Sequence, residues 1–254
     1  MKFSLAIIVA LTFILTNVGA ASASVDIVYM SFKGGYSSQK VDRELKVKNT
    51  LDFGDLVLGN NDFNLGGGTN KTFFGSYAFG LDFYNWFVVP VRWELEYSYH
   101  VRETVTTAKV FDANLVVDGT PVKGSINFEE KANMGIHTIM SNLYYDFRVI
   151  SEKITPYVGV GFGLGLFYVS MDSGTNIQYA GKTHTDTFDY GAANVVWSVA
   201  AGVAIAVTDN VSVDIGYKYV DGGLTSLNNG LGDDFDFDGD FKIHDLFAGI
   251  RYSW

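Results

Sequence analysis

From Val89 to Arg102 the chain alternates between two chemistries. Val89, Val91, Trp93, Leu95, Tyr97, Tyr99 and Val101 fall on one side of an extended strand, and Arg92, Glu94, Glu96, Ser98, His100 and Arg102 fall on the other. The same period of two recurs along the chain and divides it into eight runs: Asp26 to Gly35, Lys71 to Tyr84, Val89 to Arg102, Asn133 to Phe147, a run from Pro156, and runs centred on Trp197–Ile205, Val211–Tyr219 and Leu246–Trp254. In the first, Met30 and Phe32 face one way and Ser31 and Lys33 the other. In the fifth, Val158, Val160, Phe162, Leu164 and Leu166 alternate with Gly159, Gly161, Gly163 and Gly165, an inner-face pattern that leaves room for long side chains opposite.

The runs are joined by connections that alternate in length. Tyr36–Asn70, Glu103–Lys131, Asp172–Tyr190 and Asp221–Asp240 read as long polar loops, with Gly66-Gly67-Gly68 a flexible loop tip. Short turns are expected near Asn85, at Ser151-Glu152-Lys153 and at Thr208-Asp209-Asn210. Within the second long connection, Val116-Val117-Asp118-Gly119-Thr120 reads as a hairpin turn, which would carry the third and fourth strands upward as a ribbon. An even number of strands with short turns at one rim and long loops at the other predicts an all-β fold: an eight-stranded antiparallel up-and-down transmembrane β-barrel.

The beginning of the chain supplies an address. After Lys2 an apolar run from Leu5 to Leu15 leads to Ala21-Ser22-Ala23, the pattern of a cleaved secretory signal peptide over residues 1–23, with one barrel domain over 24–254. The composition is 15% aromatic with 28 glycines, 3 prolines and no cysteine, which favours strands and excludes a disulfide framework. A net charge of −10 argues against a nucleic-acid partner.

Aromatic residues decide between lipid and water. With the N-terminus periplasmic, Phe83, Trp86, Phe147, Tyr157, Tyr252 and Trp254 gather at the short-turn rim, and Phe73, Tyr99, Tyr168, Tyr217 and Tyr219 at the other, as two girdles. A secreted soluble barrel would have to hold the apolar set inside, where eight strands leave space for packed side chains or one small ligand. Lipid outside imposes no such limit, and closure of the sheet satisfies every backbone group.

With these strands placed, the chain resembles the eight-stranded outer-membrane β-barrel superfamily that holds the OmpA-like transmembrane domain and the Opa-like surface antigens. The resemblance rests on Asn142-Leu143-Tyr144-Tyr145-Asp146-Phe147, on Thr155-Pro156-Tyr157-Val158-Gly159-Val160-Gly161, and on the ending Gly249-Ile250-Arg251-Tyr252-Ser253-Trp254. It implies that Gly249, Tyr252 and Trp254 form the signal read by the barrel-assembly machinery, with Phe247 departing from the polar residue usual at that place. It further implies residence in the outer membrane of a Gram-negative bacterium, outer-membrane lipid as surroundings, and loops that meet a host or matrix ligand.

The alternation sends Asp82, Glu94, Glu96, Asp146, Asp214 and Asp245 into the barrel with Arg92, Arg102, Lys218 and Arg251. Either these charges pair into a plug or they line an ion path, and the narrowness of eight strands favours the plug. Asp234, Asp236, Asp238, Gly239 and Asp245 carry the spacing of a calcium loop but lack its flanking helices, and an acidic outer loop explains them equally. His100 with Glu96 and Ser98 is the nearest approach to a catalytic group, and a satisfied interior histidine is the commoner reading. The sequence therefore predicts a non-enzymatic surface barrel with no cofactor, presenting loops for adhesion, host contact or envelope integrity. A narrow OmpW-like channel for small apolar molecules is the alternative, and a lipid-modifying enzyme the next.

Overall fold

In the computed structural model, residues 27–47, 51–52, 57–58, 61–117, 120–148, 153–177, 182–226 and 235–254 are described. The segment read as a signal peptide lies outside them. Eight strands close into one antiparallel barrel, each bonded to its sequence neighbours and the last to the first. In chain order they are β1 (Val28–Val47), β2 (Asn61–Asp82), β3 (Val91–Val117), β4 (Thr120–Asp146), β5 (Ile154–Ile177), β6 (Lys182–Ala206), β7 (Val211–Ser226) and β8 (Phe235–Ser253). Leu51–Asp52 and Val57–Leu58 form a small separate pair between β1 and β2.

The apolar faces turn outward. Phe32, Phe73, Phe162, Leu95, Leu246 and Ile250 are all exposed, while Ser31, Glu94, Ser98 and Asp245 on the opposite parity are buried. Such a molecule is inside out relative to a soluble barrel, which is the arrangement a bilayer requires. Glycines on the inner wall accommodate large rings: a Cβ on Gly80 would strike the Tyr29 ring, and one on Gly159 would strike Tyr144.

Four of the sequence expectations need correction. The segments read as long loops are largely strand: β3 and β4 run 27 residues each and pair as far as Val117 and Thr120, so the expected ribbon is longer than the alternation suggested. Gly66, Gly67 and Gly68 are no loop tip; they sit in the β1–β2 ladder opposite Arg43, Asp42 and Val41. The turn near Asn85 is one helical turn, α1 (Tyr84–Phe87), closed by Val88 in the left-handed region at φ 57°. Tyr157 belongs to the interior and not to a girdle, because strand parity carries its ring inward, where it is 4% exposed.

Above the bilayer band the ring of strands divides. The β2–β3 ladder ends at Phe74 and His100, and the β6–β7 ladder ends at Trp197 and Asp221, whereas the other pairings continue outward. Four strands, β3 to β6, thus rise as one blade, and β7, β8, β1 and β2 rise as another. Each seam starts at a backbone irregularity. On one side the β3–β4 register slips between His100 and Glu103, and on the other Gly223 adopts φ +62°. Side chains clasp the seams where the ladders stop: Thr72 Oγ1 donates to the Val101 carbonyl at 2.9 Å, and Asn194 Nδ2 to the Gly222 carbonyl.

Candidate functional site

Charged residues fill the short-turn half of the barrel axis. Arg92 donates through Nε to both oxygens of Asp146, and its guanidinium lies 5.1 Å from the ring centres of Tyr144 and Tyr157. Lys33 bridges Glu94 at 2.7 Å and Glu96 at 2.8 Å, and Lys218 reaches the other oxygen of Glu96 at 2.6 Å. Tyr29 donates to Glu94, and Ser98 to Glu96. Arg251 stands 3.6 Å from Asp214 and 5.4 Å from the Tyr29 ring centre. Burial strips these ions of water, and counter-charges take its place, joined by hydrogen bonds at Arg92, Lys33, Glu94, Glu96, Asp146 and Lys218; in the looser Arg251–Asp214 pair, Asp214 Oδ1 and Arg251 Nη1 have no hydrogen-bond partner.

Of the ten charges expected inside, Arg92, Glu94, Glu96, Asp146, Asp214, Lys218, Asp245 and Arg251 are buried. Asp82 is half-buried at the short-turn rim, held by Arg148. Arg102 is a correction. The bulge in β3 lets two residues, Val101 and Arg102, face one position of β4, so the alternation slips and Arg102 lies exposed on the outer wall, its stem over Gly135.

Two members of the network were not in the expected set. Lys33 shares the parity of Ser31 and so points inward, and Arg148 continues the inward parity of Tyr144 and Asp146 past the strand end, where it stacks 4.3 Å from the Tyr84 ring centre. The alternation already sets Lys33 beside Ser31 on the face opposite Phe32, and carrying it two residues past Asp146 would have found Arg148.

His100 does not meet a nucleophile. Its Nε2 lies 3.1 Å from both oxygens of Asp245, its ring stacks on Phe74 at 5.2 Å, and the Ser98 hydroxyl is turned to Glu96. The calcium spacing is also corrected. Asp236 and Asp238 lie in the β1–β8 ladder opposite Lys46 and Glu44 rather than in a loop, Asp245 faces inward to His100, and Asp234 falls outside the described residues. Extended backbone spreads ligands that a calcium loop must wrap around one centre.

Beyond the charges the axis turns apolar. Phe74, Ile136, Phe167, Val196, Phe241 and Ile243 are buried together on the inner wall, and the rings of Phe167 and Phe241 stack at 4.6 Å. The runs read from the sequence assign none of these six residues to a face. This layer occupies the axis between the ion pairs and the two blades.

The family profile of the outer membrane protein beta-barrel domain matches residues 7–252. The chain belongs to that family. It is 31% identical over 240 residues to the outer membrane protein PagN of Salmonella typhimurium, covering 92% of this chain and 93% of PagN. It is 26% identical over 206 residues to the opacity protein opA52 of Neisseria gonorrhoeae, covering 69% of this chain and 76% of that one. Among solved structures, Neisserial surface protein A aligns over 87% of this chain and 99% of its own, with 18% identity and a TM-score of 0.44. The family member is thus an eight-stranded barrel of the Gram-negative outer membrane whose outer extensions stand at the cell surface.

Proposed function

We propose that this outer-membrane barrel is a non-catalytic adhesin, a closed anchor that lifts two stranded blades to meet a host-cell or matrix ligand. One observation carries the reading: β3 and β4 are 27 residues long, while a bilayer needs only about 9–11 tilted residues per strand. At about 3.4 Å per residue, most of that ladder is displayed and not embedded. Function in barrels of this kind resides on what the scaffold presents. The relatives, an outer membrane protein and an opacity protein, support the assignment, and the paired charges with the Phe167–Phe241 layer support a closed axis over an OmpW-like channel. Ser98 and His100 engage separate carboxylates, which supports a role without catalysis. Outer-membrane lipid surrounds the anchor in this reading, the barrel-assembly machinery inserts it through Gly249, Tyr252 and Trp254, and no metal or other cofactor takes part.

Replacing residues 107–130 by an Asn-Gly turn joins the register partners Thr106 and Lys131 and removes the top of the ribbon. Bacteria displaying this variant are expected to lose attachment to epithelial cells or matrix while the barrel remains folded in the membrane. Unchanged attachment after all four extensions had been shortened in this way would exclude the adhesin reading.

A further inference from the structure

The outer wall carries basic side chains at one level and on one half of its circumference. Lys242 of β8, Lys40 of β1 and Lys71 of β2 all lie on the outward parity, and the bulge adds Arg102 of β3. Lys40 stands directly opposite Lys242 in the ladder, and Lys71 is diagonal to Lys40, two places beyond its partner Thr69. Like charges placed opposite one another repel. Asp221 faces Lys242 from β7, and the ladder partners Asp42 and Asp240 stand two positions further out along β1 and β8, so acidic residues border the arc on its outer side. Arg102 is held outward by two features at once, the slipped register and the missing side chain of Gly135 on which its stem rests.

Just below this level, toward the bilayer, aromatic residues face outward. Tyr36 packs edge-on against Phe73, and Tyr97, Tyr99 and Tyr168 surround His137. The two flanking histidines have matching arrangements: His137 Nδ1 lies 2.6 Å from the Tyr97 hydroxyl, and His244 Nδ1 lies 2.6 Å from the Tyr217 hydroxyl. With each tyrosine donating to Nδ1, the ring proton sits on Nε2, so both histidines keep a donor for a further acceptor. Aromatic rings of this kind lie at the depth of the lipid headgroups.

From this we infer that the basic arc of Lys40, Lys71, Arg102 and Lys242, flanked by His137 and His244, docks anionic phosphorylated lipid headgroups of the leaflet at the blade side. The arc continues the lipid-facing wall, so the occupant arrives from the membrane with its acyl chains along Phe73 and Leu246 and its phosphate among the cations. In a chain of net charge −10, a basic arc on the wall continuous with the lipid-facing strands matches an anionic membrane surface. Short-turn residues such as Lys153 lie at the other rim and take no part.

The test is native mass spectrometry of the barrel released from nanodiscs of equal phosphatidylglycerol and phosphatidylcholine. Wild-type protein should retain phosphatidylglycerol in excess, and the K40Q/K71Q/R102Q/K242Q variant should lose that excess, about fivefold for each charge removed. K153Q should keep it, as should K40R/K71R/K242R, which preserves charge. Folding of every variant is read independently from its heat-dependent gel mobility. Equal retention of the two lipids by wild-type protein, or an undiminished excess in the folded fourfold variant, would overturn the inference.

Discussion

Arg92 and Asp146 clasp each other across 54 residues of sequence, Nε lying 3.0 and 2.8 Å from the two carboxylate oxygens. Both side chains are almost fully buried, so removing Asp146 leaves Arg92 without water and with the more distant Glu94, 3.6 Å from its Nη1, as counter-charge. Asp146→Ala is expected to destabilise the barrel by about 3 kcal/mol, and R92M/D146A by less, because the second change removes the stranded cation. Urea unfolding in lipid vesicles checks both values. A double variant worse than the single one would contradict the pairing.

Glu96 sits between two ammonium groups, Lys33 and Lys218, at 2.8 and 2.6 Å. Glu96→Gln should therefore cost more than Lys218→Gln, since it uncouples two cations and not one. The same unfolding assay orders the two. Equal losses would mean that one of the lysines contributes nothing.

The interior ring contacts are sensitive to volume. Gly159 has no room for a side chain beside Tyr144, so Gly159→Val should displace that ring and with it the stacking on Arg92. A loss of about 1–3 kcal/mol is expected from overpacking. Y144L/G159V should recover part of it, measured by the unfolding midpoint.

Val88 closes the helical turn in a left-handed conformation that a β-branched residue adopts only at a cost. Val88→Gly is expected to stabilise the barrel by about 1 kcal/mol. A lower unfolding midpoint for this variant would show that the Val88 side chain contributes packing that outweighs the strain.

Closure of the axis has two layers. Glu96→Gln leaves the Phe167–Phe241 stack in place and should leave planar-bilayer conductance at background. F167A/F241A opens the apolar layer, yet the ion pairs below still block the axis. The combination still keeps Arg92–Asp146 and Lys33–Glu94 across the axis and is expected to stay closed, and steady channels in wild-type protein would refute the closed anchor.

Most of the transmembrane half was legible because its two faces differ in kind. Leu95, Glu96, Ile250 and Arg251 each reveal their side by the period of two alone. Three features escaped for distinct reasons. The bulge at Arg102 shifts the parity by one residue with no glycine or proline in β3 to mark it, since the glycine that accommodates it, Gly135, lies on β4. Tyr157 is large, aromatic and near a rim, so composition pointed outward while its parity pointed inward. The outer halves of the strands lack a regular run of apolar residues at alternate positions, and a strand without two unlike faces does not announce itself in the sequence. Thr104 to Val110 and Lys182 to Thr187 illustrate this, each read as loop and each lying in a ladder.

The seams at Thr72–Val101 and Asn194–Gly222 separate two mechanical regimes within one chain. Below them every strand is bonded on both sides, and a load applied at any point is shared around the whole circle. Above them no ladder joins the two blades among the described residues, and the short Val57–Leu58 strand lies against β3 across one seam. A pull on either blade would reach the Thr72–Val101 and Asn194–Gly222 clasps before the closed ladder beneath them, which shares load around its whole circumference.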